Sequence, residues 1–70
     1  MKHRDLVKRI NEAAKAKTVT WTLVKQSAEH EKWALGTQPV MIPRHREINE
    51  ITALSIMKSL EEQLGKGWWK

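Results

Sequence analysis

Residues 19–43 read VTWTLVKQSAEHEKWALGTQPVMIP, and the period of the apolar residues in this stretch decides the fold. Val19, Trp21 and Leu23 alternate with Thr20, Thr22 and Val24, the pattern of a half-buried strand rich in β-branched and aromatic side chains. After the polar run Gln26 to Glu29, alternation resumes with Glu31, Trp33 and Leu35 set against His30, Lys32 and Ala34. Gly36-Thr37-Gln38-Pro39 carries turn chemistry and leads into a third strand, Val40-Met41-Ile42. Pro43 ends that strand because it has no N–H for a ladder. Closed as a simple hairpin, the loop sets Leu35 opposite Val40 and Trp33 opposite Ile42, all on one face, and His30 opposite His45.

Outward from this meander the period changes to that of helices. Leu6, Ile10, Ala13 and Ala14 fall at i, i+4, i+7 and i+8, one face of a helix over about residues 3–17, with Lys8, Arg9, Glu12 and Lys15 on its wet side. Downstream, Asn49 is placed to cap a second helix whose apolar positions Ala53, Ile56, Met57, Leu60 and Leu64 repeat until Gly65 stops it. The expected fold is α+β, in the order α-β-β-β-α: a three-stranded antiparallel sheet with two helices on one face and the other face open. Leu6, Ile10, Trp21, Trp33, Ile42, Ile56 and Leu60 are the expected core. The 70 residues make one domain, 1–70, with a Trp-rich tail over 65–70. Trp68 and Trp69 have no helical phase to bury them, so they either fold back on the domain or anchor a partner.

Charge is unevenly distributed. Residues 1–25 hold Lys2, Arg4, Lys8, Arg9, Lys15, Lys17 and Lys25 against Asp5 and Glu12, which accounts for the whole net charge of +5. A basic end of this kind suits phosphates or an acidic partner. The absence of cysteine excludes disulfides, thiolate zinc sites and cysteine nucleophiles together. No run approaches the length of a membrane span, so no membrane partner is expected, and the expected location is the cytoplasm.

Histidine is the side chain best suited to move protons near neutral pH. His3, near the terminus, reads as a solvated side chain without a role. His30 is the candidate proton carrier and His45 a possible second one, both set toward the open side of the sheet by the expected register. Lys25, Lys32, Arg44 and Arg46 bracket this region as cations for a phosphodiester, and Lys8, Arg9, Lys25, Lys32 and Arg44 form the expected RNA-binding set. RNA cleavage without metal needs a base for the 2′-hydroxyl, an acid for the leaving 5′-oxygen and cations for the charge on phosphorus, and this inventory contains all three. His30, His45 and Glu47 match no structural zinc spacing, so no metal site and no cofactor is expected. Trp21 and Trp33 read as packing residues.

Taken together, three segments resemble the HicA family of bacterial toxins, small mRNA interferases paired with a HicB antitoxin. They are the amphipathic helix and Trp-bearing strand from Leu6 through Trp21, the motif His30-Glu31-Lys32-Trp33, and Ile42-Pro43-Arg44-His45 followed by a polar stretch and a helix. The resemblance covers residues 1 to about 65. It implies a fold similar to a double-stranded-RNA-binding domain and a metal-independent endoribonuclease with one catalytic histidine, which falls on His30. It also implies a HicB-like antitoxin as partner, with operator DNA met only through that complex. Ser27-Ala28-Glu29 stands where the family has a Gly-rich stretch, and a carboxylate beside the scissile phosphate is expected to weaken cleavage. Two alternatives share the pattern: a non-catalytic double-stranded-RNA-binding module and a degenerate toxin acting only by protein binding. Such RNA-binding modules place a Lys cluster where this chain has Asn49-Glu50-Ile51-Thr52-Ala53, which favours the nuclease.

Overall fold

The computed structural model describes residues 1–70. Helix α1 spans His3–Ala16, strands β1, β2 and β3 span Trp21–Gln26, His30–Leu35 and Gln38–Pro43, and helices α2 and α3 span Glu50–Ser59 and Glu61–Leu64. The strands form one antiparallel sheet in the order β1-β2-β3. This is the α-β-β-β-α arrangement with an open sheet that the sequence predicts. No helix is long and apolar enough to cross a membrane.

Leu6, Ile10 and Ala14 form the buried stripe of α1 and meet Leu35, Val40 and Ile42 of the sheet, Ile48, Ala53 and Met57, then Leu60 and Leu64, in one continuous core. Both ends of the chain therefore pack on the same sheet face. Trp21, Trp33 and Ile56 are not in that core but lean against it, half-buried. The two indoles, one on edge strand β1 and one on central strand β2, stack on each other with centroids 4.6 Å apart and planes within 5°.

The register differs from the expected one by two residues. The turn consists of Gly36 and Thr37 alone, with Gly36 at φ +60°, so β3 starts at Gln38 and Pro39 lies within the strand. Trp33 therefore pairs with Val40 and Leu35 with Gln38, while His30 pairs with Pro43 and not with His45. A shift of two keeps every side chain on its face, which is why Trp33, Leu35, Val40 and Ile42 still point the same way. β3 is an edge strand, so Pro39 costs it no ladder bond that a central strand would need. Between β1 and β2 the pairing slips at Leu23/Lys25, and Val24 bulges outward.

The strand after α1 begins later than its alternation suggests. Thr18 takes a left-handed conformation at φ 58°, and the Val19 N–H is given to Ala14 O at 2.9 Å, so the chain is still capping the helix there. The C-terminal helix is interrupted at Leu60. Its N–H bonds Met57 O and the Ser59 hydroxyl bonds Ile56 O at 2.6 Å, a side-chain contact that competes with the helical ladder. The tail folds back: Gly67 N–H donates to Glu61 Oε2 at 2.7 Å and the Trp68 indole to Met57 O at 2.8 Å.

Candidate phosphodiester-binding cleft

Two tripeptides of one kind, Lys2-His3-Arg4 and Arg44-His45-Arg46, are far apart in the chain. A short antiparallel contact brings them together. The Met1 amine donates to Ile48 O at 2.9 Å, Ile48 N–H to Met1 O at 2.7 Å, and His3 N–H to Arg46 O at 3.0 Å, with Lys2 bridged to Glu47. The first turn of α1 is thereby laid against the segment leaving β3. Between them opens a cleft of about 310 Å³, lined by Lys2, His3, Arg4, Glu31, Arg44, His45 and Arg46, with no hydrophobic residue in its wall.

Four permanent cations and two imidazoles here face a single carboxylate. That carboxylate, Glu31, is the one charged side chain in the buried set. Its Oε1 accepts from His3 Nε2 at 2.8 Å and from Trp33 Nε1 at 2.9 Å. The expectation that His3 is a solvated side chain is thus overturned, because pairing with Glu31 draws its ring inward to 24% exposure. Arg44 is held from behind: Nη1 donates to Ser27 O at 2.7 Å, and with the Gln26 amide oxygen turned toward it, Nε and Nη2 donate to that oxygen at 3.2 Å. The guanidinium thus ties the β1–β2 turn to the cleft, and the Arg44 N–H adds a bond to Glu29 O at 2.8 Å.

Beyond His3 the surface continues as a groove lined by Arg4, Val7, Lys8, Asn11, Trp21 and Trp33. It carries the positive charge along α1 as far as Lys8 and exposes the flank of the indole stack. In the same backbone junction the Met1 amine makes ion pairs with Glu47 at 2.7 Å and Glu50 at 2.9 Å. The hydrogen bonds it donates to these carboxylates hold the amine above the usual terminal range, and the bond that Glu47 accepts pulls that carboxyl below the usual carboxylate range.

The other candidate residues separate into groups. His30 is exposed on the open sheet face, on the side of β2 away from Glu31, and its backbone closes a tight turn with Ser27 through bonds of 2.9 to 3.2 Å. Lys32 shares that face and pairs across the ladder with Lys25. Arg44 and His45 belong to the cleft, Lys8 to the groove along α1, and Arg9 reaches the tail, with Nη1 3.5 Å from Trp69 O. Sequence reasoning reached Arg44, His45 and Arg46 but missed Lys2, His3, Arg4 and Glu31 as their companions in one cleft. The signal that was there is the repeated basic-His-basic tripeptide. Comparison with protein-family profiles, with characterised proteins and with solved structures returns no match.

Proposed function

We propose that this protein is a metal-independent endoribonuclease of the HicA kind, a cytoplasmic toxin that cuts mRNA and is silenced by a HicB-like antitoxin. The single observation that carries this reading is the all-polar cleft in which Lys2, Arg4, Arg44 and Arg46 surround His3 and His45. Such a wall suits a phosphodiester: guanidinium groups offer paired donors to phosphate oxygens, and imidazoles move protons at neutral pH. The RNA backbone enters along α1 past Lys8 and crosses this end of the sheet, beside the half-buried indoles of Trp21 and Trp33 that line the groove. The resemblance to HicA assigns proton transfer to His30, on the face of β2 opposite Glu31 and the cleft. An acidic antitoxin segment answers the charge of Lys25, Lys32 and Arg44, so these residues should be protected from chemical modification in the complex.

The test is cleavage of a defined RNA by purified protein with EDTA present. The expected products end in a 2′,3′-cyclic phosphate, and affinity for RNA falls steeply with salt as bound cations are released from the phosphates. Neutralising Arg4 and Arg46 should flatten that salt dependence. Protein that binds RNA without cutting it would mean a binding module in place of a nuclease, and protein that does neither would overturn the reading.

A further inference from the structure

Position 31 lies in phase with Trp33 and Leu35, and its partner across the ladder is Ile42, so an apolar residue would suit the face it occupies. The chain instead buries a carboxylate there, at 8% exposure. Burying an ionised group is costly unless its oxygens are bonded, and the two donors to Glu31 Oε1 are the ring N–H groups of His3 and Trp33, at 2.8 and 2.9 Å. An ionised carboxylate has no proton to give. The hydrogen of neutral His3 therefore sits on Nε2, and Nδ1 is left as the acceptor. A base whose tautomer is fixed by a third group is the arrangement that acid–base and nucleophilic catalysis repeatedly use. His45 lines the same cleft, exposed and with no hydrogen-bond partner on its ring, free to deliver a proton.

From this geometry we infer that the proton carriers of the cleavage lie in the cleft, His3 as general base positioned by Glu31 and His45 as general acid; the inference rests on the ribonuclease reading above. His3 Nδ1 takes the proton of the 2′-hydroxyl as O2′ bonds to phosphorus. The P–O5′ bond breaks, and protonated His45 gives its proton to O5′, leaving a 2′,3′-cyclic phosphate and a 5′-hydroxyl. Exchange with water returns both rings to their starting states. Lys2, Arg4, Arg44 and Arg46 face the charge that gathers on the phosphoryl oxygens. This moves proton transfer away from His30, where the resemblance alone would put it, since His30 lies outside the cleft on the opposite face of the sheet.

The experiment uses the full chain, a short RNA with one cut site, and EDTA throughout. His3→Ala and His45→Ala should each lower kcat by about 10²- to 10⁴-fold, far more than either weakens binding of the same RNA with a 2′-deoxy sugar at the cut site. The pH–rate profile should lose its acidic limb in His3→Ala and its alkaline limb in His45→Ala, and added imidazole should restore part of the His3→Ala rate. Glu31→Gln should lower kcat and leave KM alone. If His3→Ala cuts as fast as the parent while His30→Ala is slow, chemistry belongs to the open face and the inference is wrong, with the ribonuclease reading intact. A slow His3→Ala that imidazole does not rescue, and whose profile keeps both limbs, has lost only structure and also overturns it. A parent that cuts no RNA overturns both.

Discussion

Glu31 holds two rings with one oxygen atom, and removing it would strand both donors. Glu31→Ala leaves the His3 and Trp33 N–H groups without their partner in a half-buried place and should cost about 1–3 kcal/mol in urea unfolding. The Trp21 indole N–H already has no partner, an unmet bond that the stack on Trp33 tolerates. Gly36 shows the opposite kind of constraint. At φ +60° an L side chain is strained, and a Cβ there would lie 3.0 Å from Gln63 Oε1, whose amide nitrogen donates to Leu35 O at 2.8 Å and Gln38 Oε1 at 2.9 Å. Gly36→Ala should therefore destabilise by about 1–2 kcal/mol, visible as a lower unfolding midpoint. Large core deletions should act where burial is complete. Leu35→Ala and Ile42→Ala are each expected to cost about 2–5 kcal/mol, much of what a domain of this size has, with both residues at 0% exposure.

Among the elements, α2 depends on a cap that its sequence announces. The Asn49 side chain accepts from the Ile51 N–H at 2.8 Å, so Asn49→Ala should lose about 0.5–2 kcal/mol of stability, read from thermal unfolding. This cap, the stripe of Leu6, Ile10 and Ala14, and the alternation through β2 and β3 were legible because each is a local pattern of neighbours in sequence. The hairpin register was not, since a two-residue and a four-residue turn both keep the same residues on the same face. Gly36 at a left-handed φ settles it, and the one cue for that turn is the glycine itself at the first loop position, which Pro39 outweighs when it is read as part of the loop. Likewise the break at Leu60 leaves no trace in the apolar spacing, because Met57, Leu60 and Leu64 stay buried on either side of it.

Across the whole molecule, the site was the least legible feature because residues 1–4 meet residues 44–48 through backbone bonds, which no side-chain period encodes. That junction also sets a pH dependence. The Met1 amine is raised above its ordinary 8.0, so its contribution is complete below that value and lost as pH climbs through the raised one. Glu47 is lowered below its ordinary 4.5, so its contribution is complete above that value and lost as pH drops through the lowered one. Thermal stability should accordingly plateau between these limits, and acetylating the amine should remove the alkaline decline at this junction. The stacked pair beside the cleft has a further consequence, for spectroscopy. The chain has four Trp and neither Tyr nor Phe, so its entire near-ultraviolet spectrum comes from indoles. Two of them lie parallel at 4.6 Å, close enough for their excited states to couple, and one donates to Glu31 at 2.9 Å. Circular dichroism and fluorescence of the unlabelled protein should therefore report the occupancy of the cleft directly, with Trp33→Phe erasing the signal.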